Sequence, residues 1–140
     1  MLVRLLYASR AVDHSPPAIR GILDAARRHN QGHGVTGILV YGAGVFMQAI
    51  EGGRQVISDL YGTILRDGRH KDVMLLHYEE ILERRFGSWT MGLVDVDRIN
   101  ASVLLKYSER AVLDPWAVSG QVSMALLEEL MATASILGHT

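Results

Sequence analysis

The sequence predicts an α+β fold: a βαββαββ order building one sheet, with two helices on one face and C-terminal helices covering the other. Three observations predict it. Strand-like alternation and helical stripes succeed one another in that order; Gly42-Ala43-Gly44 joins two strand-like runs with hairpin chemistry; and the tail after residue 95 carries only helical patterns. Two split βαβ halves on one sheet give a ferredoxin-like layer whose helices share a face. The other face then needs a cover, which the tail supplies.

Residues 2–8 read as the first strand, with Val3, Leu5 and Tyr7 on one face and Leu2, Leu6 and Ala8 on the other, interrupted there by Arg4. Apolar character on both faces suits a strand inside the sheet. Ser15-Pro16-Pro17 supplies a cap and first-turn prolines, and Ile19, Ile22, Leu23 and Ala26 recur at helical spacing up to Arg28 or His29. The glycine-rich stretch 30–34 is expected to end that helix. Residues 35–41 and 45–51 read as antiparallel strands. After Gly52-Gly53, the stripe Val56, Ile57, Leu60, Tyr61, Ile64 and Leu65 marks a second helix reaching Asp67-Gly68. Residues 73–82 and 88–94 read as the fourth and fifth strands, separated by a Glu83-Arg84-Arg85 cluster expected to be a solvated turn. In the tail, helices over 99–107 and 119–137 flank a turn at Asp114-Pro115. Val122, Leu126, Leu127, Leu130, Met131, Ala134 and Leu137 give the last helix a wide apolar stripe. The expected division is 1–95 for the α+β domain and 96–140 for a helical cap.

At 49% hydrophobic and 21% charged, the 140 residues have the composition and length of one globular domain. A formal charge of −1 with scattered Arg and Lys gives no electrostatic reason to expect nucleic acid or an anionic membrane as partner. With no cysteine, disulfides, thiolate metal sites, thiol nucleophiles and cysteine–chromophore adducts are excluded. The opening residues lack a signal peptide's basic and apolar regions, and no apolar run is long enough to span a bilayer. A cytoplasmic protein is expected.

Gly32-His33-Gly34-Val35-Thr36-Gly37 spells a dinucleotide fingerprint, but that motif needs a strand before it and a helix after it, and here the order is reversed. His29 and His33 have the spacing of a helical metal pair without a third ligand nearby, so no metal is expected. Asp95 and Asp97 read as solvated loop carboxylates.

Gln48 stands out. It lies in the apolar run Gly44-Val45-Phe46-Met47-Gln48-Ala49-Ile50-Glu51-Gly52, sharing a face with Phe46 and Ile50, while Val45, Met47 and Ala49 take the other. Leaving its amide unpaired in a core costs on the order of 1 to 3 kcal/mol per group. A side chain or ligand must meet it. Tyr7 and Ser9 at the end of the first strand, Asn30 at the end of the first helix, and Trp89 and Met91 in the fifth strand are placed to converge between sheet and helices. Singly, Tyr7 reads as a core tyrosine, Asn30 as a helix cap, and Trp89 and Met91 as sheet packing. Jointly, the Tyr, Gln and Asn need a shared polar partner.

The runs Arg4-Leu5-Leu6-Tyr7-Ala8-Ser9-Arg10, His29-Asn30, Val35-Thr36-Gly37-Ile38-Leu39-Val40-Tyr41, Gly44 through Gly52, Arg69-His70 and Phe86-Gly87-Ser88-Trp89-Thr90-Met91-Gly92 together resemble the BLUF domain, a blue-light sensor that uses flavin. The resemblance covers residues 2–95 in order; residues 96–140 are similar to the helical cap of short, single-domain members. It implies non-covalent FAD between the two helices, with FMN an alternative because the family grips chiefly the ring and ribityl chain. Gln48 would bridge the ring's N5/O4 edge and the Tyr7 hydroxyl, and Asn30 would hold the N3 side. Asp67, Arg69 and His70 would border the far side, Ser9 would complete the polar set, and Phe46, Ile38, Val40 and Ile64 would be apolar walls. Light would draw an electron and a proton from Tyr7, and recombination would leave Gln48 with a rearranged hydrogen bond and the oxidised flavin slightly red-shifted. Trp89 and Met91 would report the change to the tail helices. Met47 and Ala49 depart from the aromatics that other members often carry there.

The resemblance implies a photoreceptor and not an enzyme, signalling in trans to a separate, unidentified protein, and leaves a homodimer of the chain open. The rival readings are a small ferredoxin-like enzyme using Tyr7 and His29 as acid and base, and a chromophore-free dimeric interaction module.

Overall fold

The computed structural model describes residues 1–133. Strand β1 (Leu2–Ala11) leads through the Ser15 cap into α1 (Pro16–His33); β2 (Thr36–Gly42) and β3 (Val45–Gly53) form a hairpin; then follow α2 (Arg54–Arg66), β4 (His70–Ile81) and β5 (Gly92–Asp95). A 3-10 turn (Val96–Arg98), α3 (Ala101–Tyr107) and α4 (Gly120–Thr133) complete the described chain. The sheet order is β4-β1-β3-β2-β5. Its first four strands are antiparallel neighbours in the ferredoxin-like arrangement, and β5 adds parallel to β2.

The β2–β3 hairpin closes through Ala43 and Gly44, both at positive φ (51° and 79°), the paired left-handed geometry of a type I′ turn. This pins the β2/β3 register: Leu39 faces Gln48, and on the other side of β3 Gln48 faces Tyr7. Directly opposed residues project to the same face, so Leu39, Gln48 and Tyr7 form one row across the sheet. Alternation sorts the core into two. Val3, Leu5, Tyr7, Phe46 and Ile50 pack under α1 and α2 with Ile22, Leu23 and Ile57. Leu6, Ile38, Val40, Met47, Ala49 and Val94 pack under α3 and α4 with Leu104, Leu126, Leu127 and Leu130.

Several boundaries differ from expectation. Helix α1 continues through Asn30 and Gly32 and stops at Gly34, whose left-handed φ of 67° lets its N–H return to the Asn30 carbonyl. Asn30 is therefore inside the helix and its side chain is freed for another partner. Strand β5 begins at Gly92, not 88, because pairing with β2 starts at Ile38↔Gly92. Residues 88–91 turn instead, which puts Trp89 against the α3/α4 core and Met91 into the α1/α2 core. In a regular strand the two would share a face. The Glu83-Arg84-Arg85 cluster is no free solvated turn: Arg84 donates to Thr36 Oγ1 (2.9 Å), and the backbone of Arg85 is bound to Glu51. The expected last-helix positions Ala134 and Leu137 lie outside the described residues.

Candidate functional site

A cleft of about 220 Å³ opens between α1 and α2 above the sheet. Its broad walls are apolar: Ile22, Ala25 and Ala26 from α1, Leu60 and Ile64 from α2, and Leu39 from the sheet. The helical stripes that bury α1 and α2 also build these walls. Tyr7, Gln48 and Asn30 form a polar floor, and Asp67, Arg69 and His70 border the side where α2 leads into β4.

On the floor, the Tyr7 hydroxyl donates a short hydrogen bond to Gln48 Oε1, which fixes the amide so that Nε2 donates to Met91 Sδ at 3.3 Å. Thioether sulfur is a weak acceptor. One end of the amide is therefore tightly held and the other loosely. Tyr7 is fully buried, and burial, with the charge of Asp67 nearby, pushes its phenol well above the usual range. The phenol keeps its proton throughout the physiological range. Asn30 Nδ2 donates to the Thr90 carbonyl at 2.7 Å, leaving Oδ1 on the side of the His29 ring. Arg27 Nε donates to the Met91 carbonyl at 3.1 Å, and Gly37 N donates to the Trp89 carbonyl at 3.1 Å. Gly37 has to be glycine, since a methyl there would collide with the Ala49 carbonyl and press on Met91 Cε.

At the border, Arg69 grips Asp67 through both carboxylate oxygens (2.8 and 3.1 Å) and holds its carboxyl below the ordinary range. Ser9 Oγ meets His70 Nδ1 at 2.8 Å, and burial lowers the His70 pKa. Ser9 thus reaches the site through His70 instead of lining the cleft. Phe46 stands behind the same ring, 5.3 Å between centroids.

Two expected wall residues are misplaced. Ile38 and Val40 point to the opposite face, into the α3/α4 core, because they alternate with Leu39 along β2. Leu39 takes the wall. Register alone identifies it, as the β2 residue opposite Gln48, but that requires knowing where the hairpin turns. Among the described residues no three His, Asp or Glu side chains converge as a metal site; His29 and His33 stack on each other at 4.1 Å.

An apolar cleft with a hydrogen-bonded polar floor, set on a ferredoxin-like sheet, defines a small ligand-binding module. The chain matches the family model "Sensors of blue-light using FAD" over residues 2–92, and it belongs to the BLUF family. It is 34% identical over 97 residues to the blue light- and temperature-regulated antirepressor BluF of Escherichia coli (strain K12), covering 69% of this chain and 24% of that protein. The chain thus spans about a quarter of that relative's length. Among solved structures, BlsA in its photo-activated state superposes with a TM-score of 0.86 at 30% identity, covering 98% of this chain and 99% of that one. BlrB in its dark state gives 0.77 at 34% identity, covering 96% and 97%. The mixed fold with five strands and two helical layers is the fold of these proteins.

Proposed function

We propose that the cleft holds a flavin non-covalently and that the chain is a blue-light photoreceptor, not an enzyme, in which Gln48 is the switching element. The observation that carries this reading is the relay Tyr7–Gln48–Met91 beneath an apolar slot. The slot is smaller than the about 300 to 1,000 Å³ of sites that enclose a whole ligand, so it suits a flat ring with the remainder outside. FAD is the family's cofactor, and a ring-only grip admits FMN as well. Ile22, Ala26, Leu39, Leu60 and Ile64 would clasp the ring, with Gln48 and Asn30 as its in-plane partners and Asp67, Arg69 and His70 along the far border.

A bound flavin supplies absorption of blue light and an electron-accepting excited state. Tyr7 is the donor. Because burial disfavours its phenolate, its proton stays on the phenol until an electron is given up, and the existing hydrogen bond to Gln48 Oε1 then offers the proton a path. The amide's two ends are unlike, so turning or tautomerising it exchanges donor for acceptor and gives two discrete arrangements. Turning it puts an oxygen where Nε2 stood and so breaks the weak bond to Met91, and tautomerising it removes one of the two nitrogen protons. Met91 adjoins Trp89, which packs against the core shared with α3 and α4. The signal would pass by this route to a separate protein in trans, within the cytoplasm.

Tyr7 and His29 both line the cleft, as the acid–base rival requires, but the Tyr7 hydroxyl already donates to Gln48 and the His29 ring stacks on His33, which favours the flavin reading over it. The absorption spectrum of the purified protein before and after blue illumination tests the proposal. Flavin bands that shift to longer wavelength and return in the dark are expected; protein that carries no flavin and takes up none when it is added overturns the reading.

A further inference from the structure

The geometry points to Glu51 as a positioning residue for the switch, an anchor that keeps Met91 in reach of Gln48 from the opposite face of the sheet. This inference rests on the photoreceptor reading.

Glu51 is fully buried, three residues beyond Gln48 on β3 and directed to the other face. Its carboxylate accepts from Arg4 Nε at 2.8 Å, with Arg4 Nη2 at 2.6 Å, and it accepts the backbone N–H groups of Arg85 (3.0 Å) and Phe86 (2.6 Å). Arg4 is itself 3% exposed, donates to Glu79 on β4 and lies over the Phe86 ring at 5.6 Å. Arg84 adds a donor to the Glu51 carbonyl at 3.3 Å. One carboxylate therefore joins β1, β3 and the start of the segment between β4 and β5.

The other end of that segment is the working end. Trp89, Thr90 and Met91 are tied to Gly37, Asn30, Arg27 and Gln48, and the last of these ties is the weak sulfur bond. Between the two ends lie Gly87 and Ser88, both exposed. With Arg85 and Phe86 held by charge-assisted bonds, whatever Gln48 does to Met91 must be absorbed in the short stretch after Phe86. Releasing the first end leaves the segment held only by the bonds at Trp89, Thr90 and Met91, and Met91 is then found at its seat only part of the time. The return to the dark arrangement needs Met91 in place to receive the Gln48 amide. Its rate therefore falls by the fraction of time the seat is filled.

The test uses Glu51→Gln, which keeps shape and volume but puts an N–H₂ where an acceptor is needed, with Arg4→Lys as a milder variant that keeps the charge and loses the forked contact. Dark recovery after a blue pulse is expected to slow about tenfold in the first variant, equivalent to moving the seat's equilibrium by one decade, and less in the second. Recovery is read only from folded, flavin-loaded protein. Arg85→Ala is the control: it removes the side-chain pair with Glu128 but leaves the backbone N–H on Glu51, and is expected to recover at the wild-type rate. Wild-type recovery in both Glu51→Gln and Arg4→Lys overturns the inference, as does an Arg85→Ala variant slowed as much as Glu51→Gln. If Glu51→Gln fails to fold, Arg4→Lys against Arg85→Ala decides alone. Failure of the photoreceptor reading looks different, because the wild-type chain itself then shows no light-induced shift.

Discussion

On the α1/α2 side of the sheet, buried polar side chains form a relay with one weak link beside an open cleft; on the α3/α4 side, apolar side chains close the core and the buried charges at its edge are locked by several strong bonds. The same strands supply both sides. Tyr7, Gln48 and Leu39 alternate with Leu6, Met47 and Ile38, so residues adjacent in sequence serve opposite ends. The difference teaches where change is cheap. A neutral amide can exchange partners for a modest free-energy cost, whereas a buried carboxylate stripped of its partners cannot. On the proposed reading, the cleft side switches against a far side that holds still.

The sharpest way to break this contrast is to make the cleft side as inert as the far side. Gln48→Leu and Tyr7→Phe should each retain flavin, seen as unchanged binding stoichiometry, while the light-induced spectral shift disappears. A normal shift in either variant would refute the assigned roles. Attacking the far side should do the reverse. Leu127, fully buried between α4 and the sheet, should cost about 2 to 5 kcal/mol on truncation to alanine, read by urea unfolding, with the shift of the folded protein unchanged. Met91→Ala cuts the contact between the two sides. Spectral switching should persist with altered recovery, while the light–dark difference in amide exchange of α3 and α4 should fall to a small fraction of the wild-type difference. The smallest effect concerns His70. Its folded pKa is depressed by burial, so its contribution to stability is fully present above about pH 6.5 and is lost as pH falls through the folded value. Thermal melting between pH 7.5 and 5 should show this loss, and His70→Gln should flatten it.

Much of the fold was legible because periodicity and turn chemistry are local. The helical stripes, the glycine hairpin and the isolated Gln48 are all visible along a few residues, and the helix order follows from them. The site was legible as far as Tyr7, Asn30, Gln48, Ile64, Asp67, Arg69 and His70 lie together around one cleft. Ile38 and Val40 were misplaced because assigning a face needs register as well as alternation. Trp89 and Met91 were assigned to one strand because nothing local shows that β5 begins pairing with β2 only at Gly92. Glu51 gave no warning at all: its partners Arg4, Arg85 and Phe86 are distant in sequence, and a lone Glu before Gly-Gly reads as a strand end. Long-range ionic pairs carry no period.

The central claim is that one side-chain amide changes its hydrogen bonding when light is absorbed. A light-minus-dark infrared difference spectrum of protein carrying isotopically labelled glutamine tests it most directly. The account predicts a paired side-chain carbonyl band that moves with the label and vanishes in Gln48→Leu; a difference spectrum indifferent to glutamine labelling would contradict it.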